Sequence, residues 1–179
     1  MSAGRSSRRD WGWHPLKPQW AERIVAESGV RRSDLVLDLG AGTGALTRPL
    51  LATGARVIAL ELHRGRASEL RAIDSDRLSV IEVDAAQLLL PRRPFKVVAS
   101  PPYSAATAIL RRLLGRGTLL TSADLVVQRG FAMRVMDGRV SGVRESRRYA
   151  VEIARPIPRS AFNPAPKVDS VVLRLRRGS

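Results

Sequence analysis

The sequence predicts an α/β protein built on a largely parallel sheet, and three features carry that expectation. Short aliphatic runs alternate with stretches of helical periodicity, and polar residues recur where the runs end. The first run, Leu35-Val36-Leu37-Asp38-Leu39, leads straight into Gly40-Ala41-Gly42-Thr43-Gly44. A short aliphatic run bounded by glycine suits a strand buried on both faces. Glycines at its carboxyl end allow a tight turn and let backbone N–H groups approach a ligand, so this is a candidate nucleotide-type cofactor loop.

Taken in order, residues 1–12 read as a flexible basic arm, and residues 13–179 as one domain. Pro18 opens a helix carrying Trp20, Ile24 and Val25, which stops at Gly29, where glycine suits the left-handed position past a helix end. After the first strand and its glycines comes a helix from about residue 45. Pro49 is tolerated near its first turn and Gly54 closes it. A second strand, 56–61, ends in Glu61, and a helix over 66–73 leads to a third, 78–83, followed by Asp84. The fourth, Phe95–Ala99, runs into Ser100-Pro101-Pro102-Tyr103. A helix bearing Ala108, Ile109, Leu113 and Leu114 precedes a fifth strand, 123–127, and a short helix over 131–136. The polar, Arg-rich stretch 138–148 reads as a mobile loop. Two further strands, Tyr149–Ile157 and 167–175, flank a proline-rich bend, and the last is expected to close the sheet as an antiparallel arm. Strands and helices alternating at this spacing imply right-handed parallel crossovers.

Composition narrows the function. The chain has 179 residues, 44% of them apolar, and 31 Lys and Arg against 16 acids, a formal charge of +15. Of those 31 cations 28 are arginine, which forks onto phosphate and stacks on bases better than lysine does. A surplus of this size favours a nucleic-acid partner through phosphate neutralisation. There is no cysteine, and the two histidines, His14 and His63, are far apart. Disulfides, thiolate chemistry and a structural metal site are therefore not expected. No apolar stretch is long enough to span a membrane and no signal-peptide core follows the basic start, so the expected location is cytoplasmic.

Three polar features fall at successive strand ends: the glycine loop with Gly40 and Gly42, then Glu61, then Asp84. In open α/β sheets that edge binds ligands. Glu61 lies 21 residues after Gly40, the spacing at which an acid takes ribose hydroxyls. Asp84 can accept from an adenine amino group, although a lone acid at a strand end also serves as a helix cap. The fourth strand end adds a hydroxyl, a proline carbonyl and an aromatic face. An exocyclic amine is a poor nucleophile because its lone pair is delocalised into the ring. Ser100 Oγ and the Pro101 carbonyl, gripping its two N–H groups, would favour a tetrahedral nitrogen able to attack, with Tyr103 stacking on the base. A bland alternative is that Pro-Pro ends the strand before a helix capped at Ser104.

These residues resemble those of the S-adenosylmethionine-dependent rRNA adenine N6-methyltransferases. The likeness is greatest to the Erm type acting on 23S rRNA, a group similar to the 16S rRNA dimethyladenosine transferases. Asp38–Gly44 resembles the first motif, Val127-Gln128-Arg129 the VQR segment, and Phe162-Asn163-Pro164-Ala165-Pro166-Lys167-Val168-Asp169-Ser170 the F-x-P-x-P-K-V-D-S signature. The resemblance implies a class I methyltransferase (Rossmann-like) sheet of seven strands, the last antiparallel. It further implies S-adenosyl-L-methionine held by His14, Leu16, Gly40, Gly42, Glu61, Asp84 and Ser100, with Ser100, Pro101 and Tyr103 at the amine and Phe162 stacking on the base. The chain departs from the family where Asn-Ile/Leu-Pro-Phe/Tyr becomes Ser100–Tyr103, and where Gln-Asn-Phe-Leu becomes Trp13-His14-Pro15-Leu16. It also ends where relatives continue into a small helical domain, so the basic arm and the 138–148 loop are expected to contact RNA instead.

The expected activity is methylation of an adenine N6 in 23S rRNA or a large-subunit precursor by a monomeric, metal-free enzyme, with macrolide–lincosamide–streptogramin resistance as the consequence. The alternatives are methylation of a DNA or protein amino group, or a non-catalytic RNA-binding module. A dinucleotide oxidoreductase fits less well, because the loop lacks G-x-G-x-x-G spacing.

Overall fold

A computed structural model describes residues 13–143 and 148–178. The basic arm, 1–12, and part of the Arg-rich loop, 144–147, lie outside the described residues.

Seven strands form one sheet in the order β3-β2-β1-β4-β5-β7-β6. They are β1 (Leu35–Leu39), β2 (Arg56–Leu60), β3 (Leu78–Ile81), β4 (Phe95–Ala99), β5 (Leu120–Gln128), β6 (Tyr149–Ile157) and β7 (Ser170–Arg177). The first five are mutually parallel, and β7 lies antiparallel between β5 and β6. The expected class I fold is therefore present. The last strand, however, does not close the sheet: β7 is internal and β6 forms the edge. Their burial explains the exchange, because Val171, Val172, Leu173 and Leu175 are all buried while β6 is mostly part-exposed and carries Pro156. Proline donates no ladder hydrogen bond and belongs at a sheet edge.

The helices are α1 (Pro18–Ser28), α2 (Thr47–Ala52), α3 (Arg64–Arg71), α4 (Ala106–Leu113) and α5 (Arg129–Met136). α1 begins on its proline and ends at Gly29 with φ 72°, as the pattern of apolar residues and glycine predicts. Leu16, Ile24, Val25 and Leu50 pack on one face of the sheet, and Ile109, Leu110, Leu113 and Phe131 on the other. β1 is buried at every position, which is why it reads as a continuous aliphatic run rather than an alternating one.

The antiparallel half is tied to α1 by ions. Asp124, 1% exposed, accepts from Arg174 Nε at 2.7 Å and an Arg176 guanidinium nitrogen at 2.9 Å. Those same arginines donate to the carbonyls of Glu27 and Ser28 at the end of α1, satisfying acceptors that a helix terminus leaves open. Among the described residues no helix is long and apolar enough to cross a membrane. None of them form a group of three or more His, Asp or Glu side chains able to hold a metal.

Candidate active site

The carboxyl ends of β1, β2 and β4 and the segment after β3 enclose a cavity of about 570 Å³. Such a volume suits a nucleoside-sized ligand. Its walls include His14, Leu16, Gly40, Gly42, Glu61, Asp84, Ser100, Pro101 and Tyr103, so every residue expected at the site is gathered there except Phe162.

The loop after β1 is shaped by contact as well as by conformation. Gly40 and Gly42 have φ of 72° and 61°, in the region that side chains disfavour. A Cβ on Gly40 would stand 2.8 Å from Pro102 Cδ, and one on Gly42 2.8 Å from Trp13 Nε1. The glycine loop thus touches the Ser100–Tyr103 segment on one side and a tryptophan roof on the other.

Glu61 is the clasp of the site. It is 5% exposed and accepts from Gly42 N–H and His63 N–H, both at 2.8 Å. Each oxygen keeps a further lone pair, so the carboxylate can accept ribose hydroxyls while holding the loop. Arg66 approaches it at 3.7 Å and lies 4.3 Å from the centroid of the Trp13 ring. Asp84 serves in two ways: its Oδ1 accepts from Ala86 N–H at 2.9 Å, capping a short 3-10 turn (Ala85–Gln87), and it also faces the cavity.

At the fourth strand end, neither the Ser100 hydroxyl nor the Pro101 carbonyl has a hydrogen-bond partner among the described residues. Both residues line the cavity. Ser104 does not cap a helix; a 3-10 turn over Tyr103–Ala105 starts at Pro102 instead. The Tyr103 hydroxyl shares a 2.6 Å hydrogen bond with Ser170 Oγ, and burial raises the phenol above its usual range. The tyrosine is thereby held neutral with its ring fixed at the cavity wall.

Phe162 is the one expected site residue that does not line the cavity. It is 3% exposed and packs with Leu16, Ile24, Ile157 and Ala161. The cause is a two-residue ladder joining the chain's ends. Leu16 pairs with Phe162 in an isolated antiparallel bridge, Lys17 N–H donates to the Ala161 carbonyl, and Asn163 N–H donates to the Pro15 carbonyl. The ladder turns the Phe162 ring into the core. An aromatic in a proline-rich bend beside a buried strand is a core residue as readily as a stacking one.

Residue-by-residue reading missed four participants. Asp38 is fully buried beside the cavity, accepts from Thr47 Oγ1 at 2.6 Å, and has its carboxyl pushed up to about 7 by burial, with nearby Glu61 adding to the rise. Trp13 and Arg66 roof the loop, and Ser170 orients Tyr103. Asp38, Ser170 and Trp13 left a signal, since each lies inside a recognised motif; Arg66 left none.

The residues suit S-adenosyl-L-methionine. In a chain of net charge +15 this cavity is acidic, with Glu61 and Asp84 against Arg66 among the described residues that line it. That balance complements a cationic sulfonium ligand and disfavours phosphate. Fold and site together define a class I S-adenosylmethionine-dependent methyltransferase. The ribosomal RNA adenine dimethylase family model matches residues 6–179, and the chain belongs to that family. The ribosomal RNA small subunit methyltransferase A of Thermosynechococcus vestitus is 38% identical, the match covering 95% of this chain and 69% of that protein. An Arabidopsis thaliana ribosomal RNA small subunit methyltransferase is 34% identical, with 52% of its length covered. Among solved structures, the 23S rRNA methyltransferase ErmE superposes with a TM-score of 0.81 at 30% identity, over 92% of this chain and 70% of that one. A dimethyladenosine transferase from Plasmodium falciparum gives 0.80 at 30%, over 92% and 64%.

Proposed function

We propose that this chain transfers a methyl group from S-adenosyl-L-methionine to the N6 of an adenine in 23S rRNA, with resistance to macrolide-type antibiotics as the consequence. The observation that carries the amine chemistry is the pair of open acceptors, Ser100 Oγ and the Pro101 carbonyl, beside the glycine loop and against the Tyr103 ring. Bound S-adenosyl-L-methionine supplies the electrophilic methyl. The chain's own work is positional: Glu61 and the loop seat the donor, Ser100 and Pro101 orient the two N–H groups, and Tyr103 stacks on the flipped base. Once methylated, the nitrogen is acidic enough to lose a proton to water, so no strong base is needed. The catalytic unit acts as a monomer, and the Arg-rich residues 1–10 and 138–148 supply RNA contacts.

Support for 23S rRNA comes from the sequence motifs and the ErmE likeness. A second reading, 16S rRNA, is favoured by the small-subunit names of the curated relatives. Labelled S-adenosyl-L-methionine offered with 23S rRNA, 16S rRNA, both subunits, DNA and basic proteins separates them. Label in 16S rRNA alone overturns the 23S assignment, and label only in DNA or protein overturns both. Ser100→Ala should lower methylation about 100-fold while leaving RNA binding intact, by analogy with the loss of one transition-state hydrogen-bonding group. Unchanged turnover would remove Ser100 from the amine site.

A further inference from the structure

The arginines are not spread evenly over the molecule. At the sheet edge opposite the cavity, every strand presents one. In sheet order, Arg77, Arg56, Arg32 and Arg93 stand at or just before the starts of β3, β2, β1 and β4. Arg116 and Arg148 precede β5 and β6 in the same way. β7 runs in the opposite direction and brings its last residue, Arg177, to the same edge. Arg31 and Arg92 adjoin two of these in sequence, which makes nine. Seven strands at ~4.8 Å spacing give a row about 29 Å long.

None of these nine guanidinium groups has a hydrogen-bond, ion-pair or ring partner among the described residues. Off the row, only Arg48, Arg64 and Arg129 lack one. Arg155, Arg174 and Arg176 are held by Glu27 and Asp124, Arg71 by Glu82, and Arg139 by Asp137. A general excess of arginine would leave unpaired groups on every side; here they gather on one edge. Some are pressed together. A Cβ on Gly54 would stand 3.1 Å from Arg32 Cγ and 3.5 Å from an Arg77 guanidinium nitrogen, so those two side chains converge. Arg177 is the ladder partner of Tyr149, next to Arg148. The neighbouring acids do not neutralise the row: Asp34 holds Lys96, and only Asp74 and Asp76, exposed before β3, are unpaired. Nine cations against two acids leave a surplus of seven. Like charges gathered in this way repel one another and contribute nothing to the fold, and a polyanion laid along them relieves the repulsion.

We infer that this row is a second RNA-binding track, which holds a double-helical segment of the rRNA substrate other than the segment that delivers the adenine to the cavity. This rests on the rRNA reading above. β1 is five residues long, so the track and the cavity stand about 17 Å apart through the sheet. The occupant is a duplex because the row offers guanidinium groups for phosphates and no ring for bases: Phe95 and Tyr149, the aromatics at this edge, are both buried. Single strands are held by exposed stacking platforms, which the row does not present. The preferred substrate is therefore a folded rRNA large enough to reach both edges of the sheet, and an excised hairpin lacks the second hold.

The test uses the full chain carrying Arg32→Gln, Arg56→Gln, Arg92→Gln and Arg93→Gln together, and a second variant with Arg116→Gln and Arg177→Gln. Each is compared with wild type on the full-length rRNA that the wild type modifies and on a short hairpin cut from it around the methylated adenine. Losing four phosphate contacts should raise KM for the full-length rRNA about tenfold and flatten the log–log salt dependence of its binding by roughly three to four units. The second variant should show about half that change in slope. On the hairpin, KM and kcat should stay within about twofold of wild type, which also shows that the variants fold. Equal losses on both RNAs in both variants, or no loss on the full-length rRNA in either, overturn the inference. Binding of wild type to phosphatidylglycerol vesicles that the fourfold variant loses, with rRNA kinetics unaltered, assigns the row to a membrane surface and overturns it as well. A wild-type chain that methylates no rRNA sinks the rRNA reading instead. The track is then judged by the salt dependence of binding to duplex RNA: a flatter slope in the fourfold variant upholds it, and equal slopes reject it.

Discussion

Two buried aspartates in the same sheet mark its two halves. Asp124, in the antiparallel half, is gripped by Arg174 and Arg176 and is spent on joining β5, β7 and α1. Asp38, in the parallel half, has only the Thr47 hydroxyl among the described side chains, and Glu61 beside it is a like charge. A buried charge without a cation is costly and tends to take up a proton. The comparison separates a half whose ionic groups are consumed by structure from one whose ionic groups remain available to a ligand. Among the described residues Arg66 is the one cation that lines the pocket, which is how a protein of charge +15 keeps it acidic.

The sharpest way to break this contrast is Asp124→Ala, which leaves two arginines facing a hole. Removing one partner of a buried ion cluster costs on the order of 3 kcal/mol. Urea unfolding should show a loss of about that size, and a change below ~1 kcal/mol would mean that the cluster is ornamental.

Asp38→Asn should behave oppositely. The folded-state pKa of about 7 lies above the usual value of 3.8, so between pH 4 and 7 the folded chain binds a proton that the unfolded chain has released. Stability therefore falls as pH rises through that window, by a few kcal/mol at most, and the loss persists above it. Asparagine does not titrate. The stability gap, variant minus wild type, should grow from pH 4 to 7 and then level off; a pH-independent gap would contradict the raised pKa.

Glu61→Gln keeps one acceptor oxygen but loses the charge and one backbone hydrogen bond. Affinity for S-adenosyl-L-methionine should drop roughly tenfold, in line with a charge-assisted hydrogen bond, and calorimetry measures it directly. The smallest effect concerns the exterior. Deleting residues 1–10, which contain three arginines and one aspartate, should flatten the salt dependence of RNA binding by roughly two units of log–log slope. An unchanged slope would take the arm out of RNA contact.

Much of the parallel half was legible because its signals are local. β1 reads correctly to the residue, since a mostly aliphatic run bounded by glycine suits a strand buried on both faces. Glu61, Asp84 and Ser100–Tyr103 follow from strand ends, and all of them line the one cavity. The antiparallel half was less legible. Tyr149–Ile157 reads correctly as a strand, but nothing local says that β7 rather than β6 is internal, because that depends on which strand β5 selects. The burial of Phe162 was hidden for a related reason: its environment is set by Leu16, far away in sequence, and no window around a proline-rich bend contains that partner.

The sequence by itself determined the sheet, the glycine loop, the strand-end acids and the open acceptors, because each depends on backbone conformation and spacing within one β–α unit. Only the tertiary structure decided which aromatic rings face one another. His14 and Pro164 are 150 residues apart and Tyr103 and Ser170 are 67 apart. Side-chain contacts at such separations are chosen by packing, in which burying Phe162 and fixing His14 over Tyr103 are two results of one ladder between the ends of the chain.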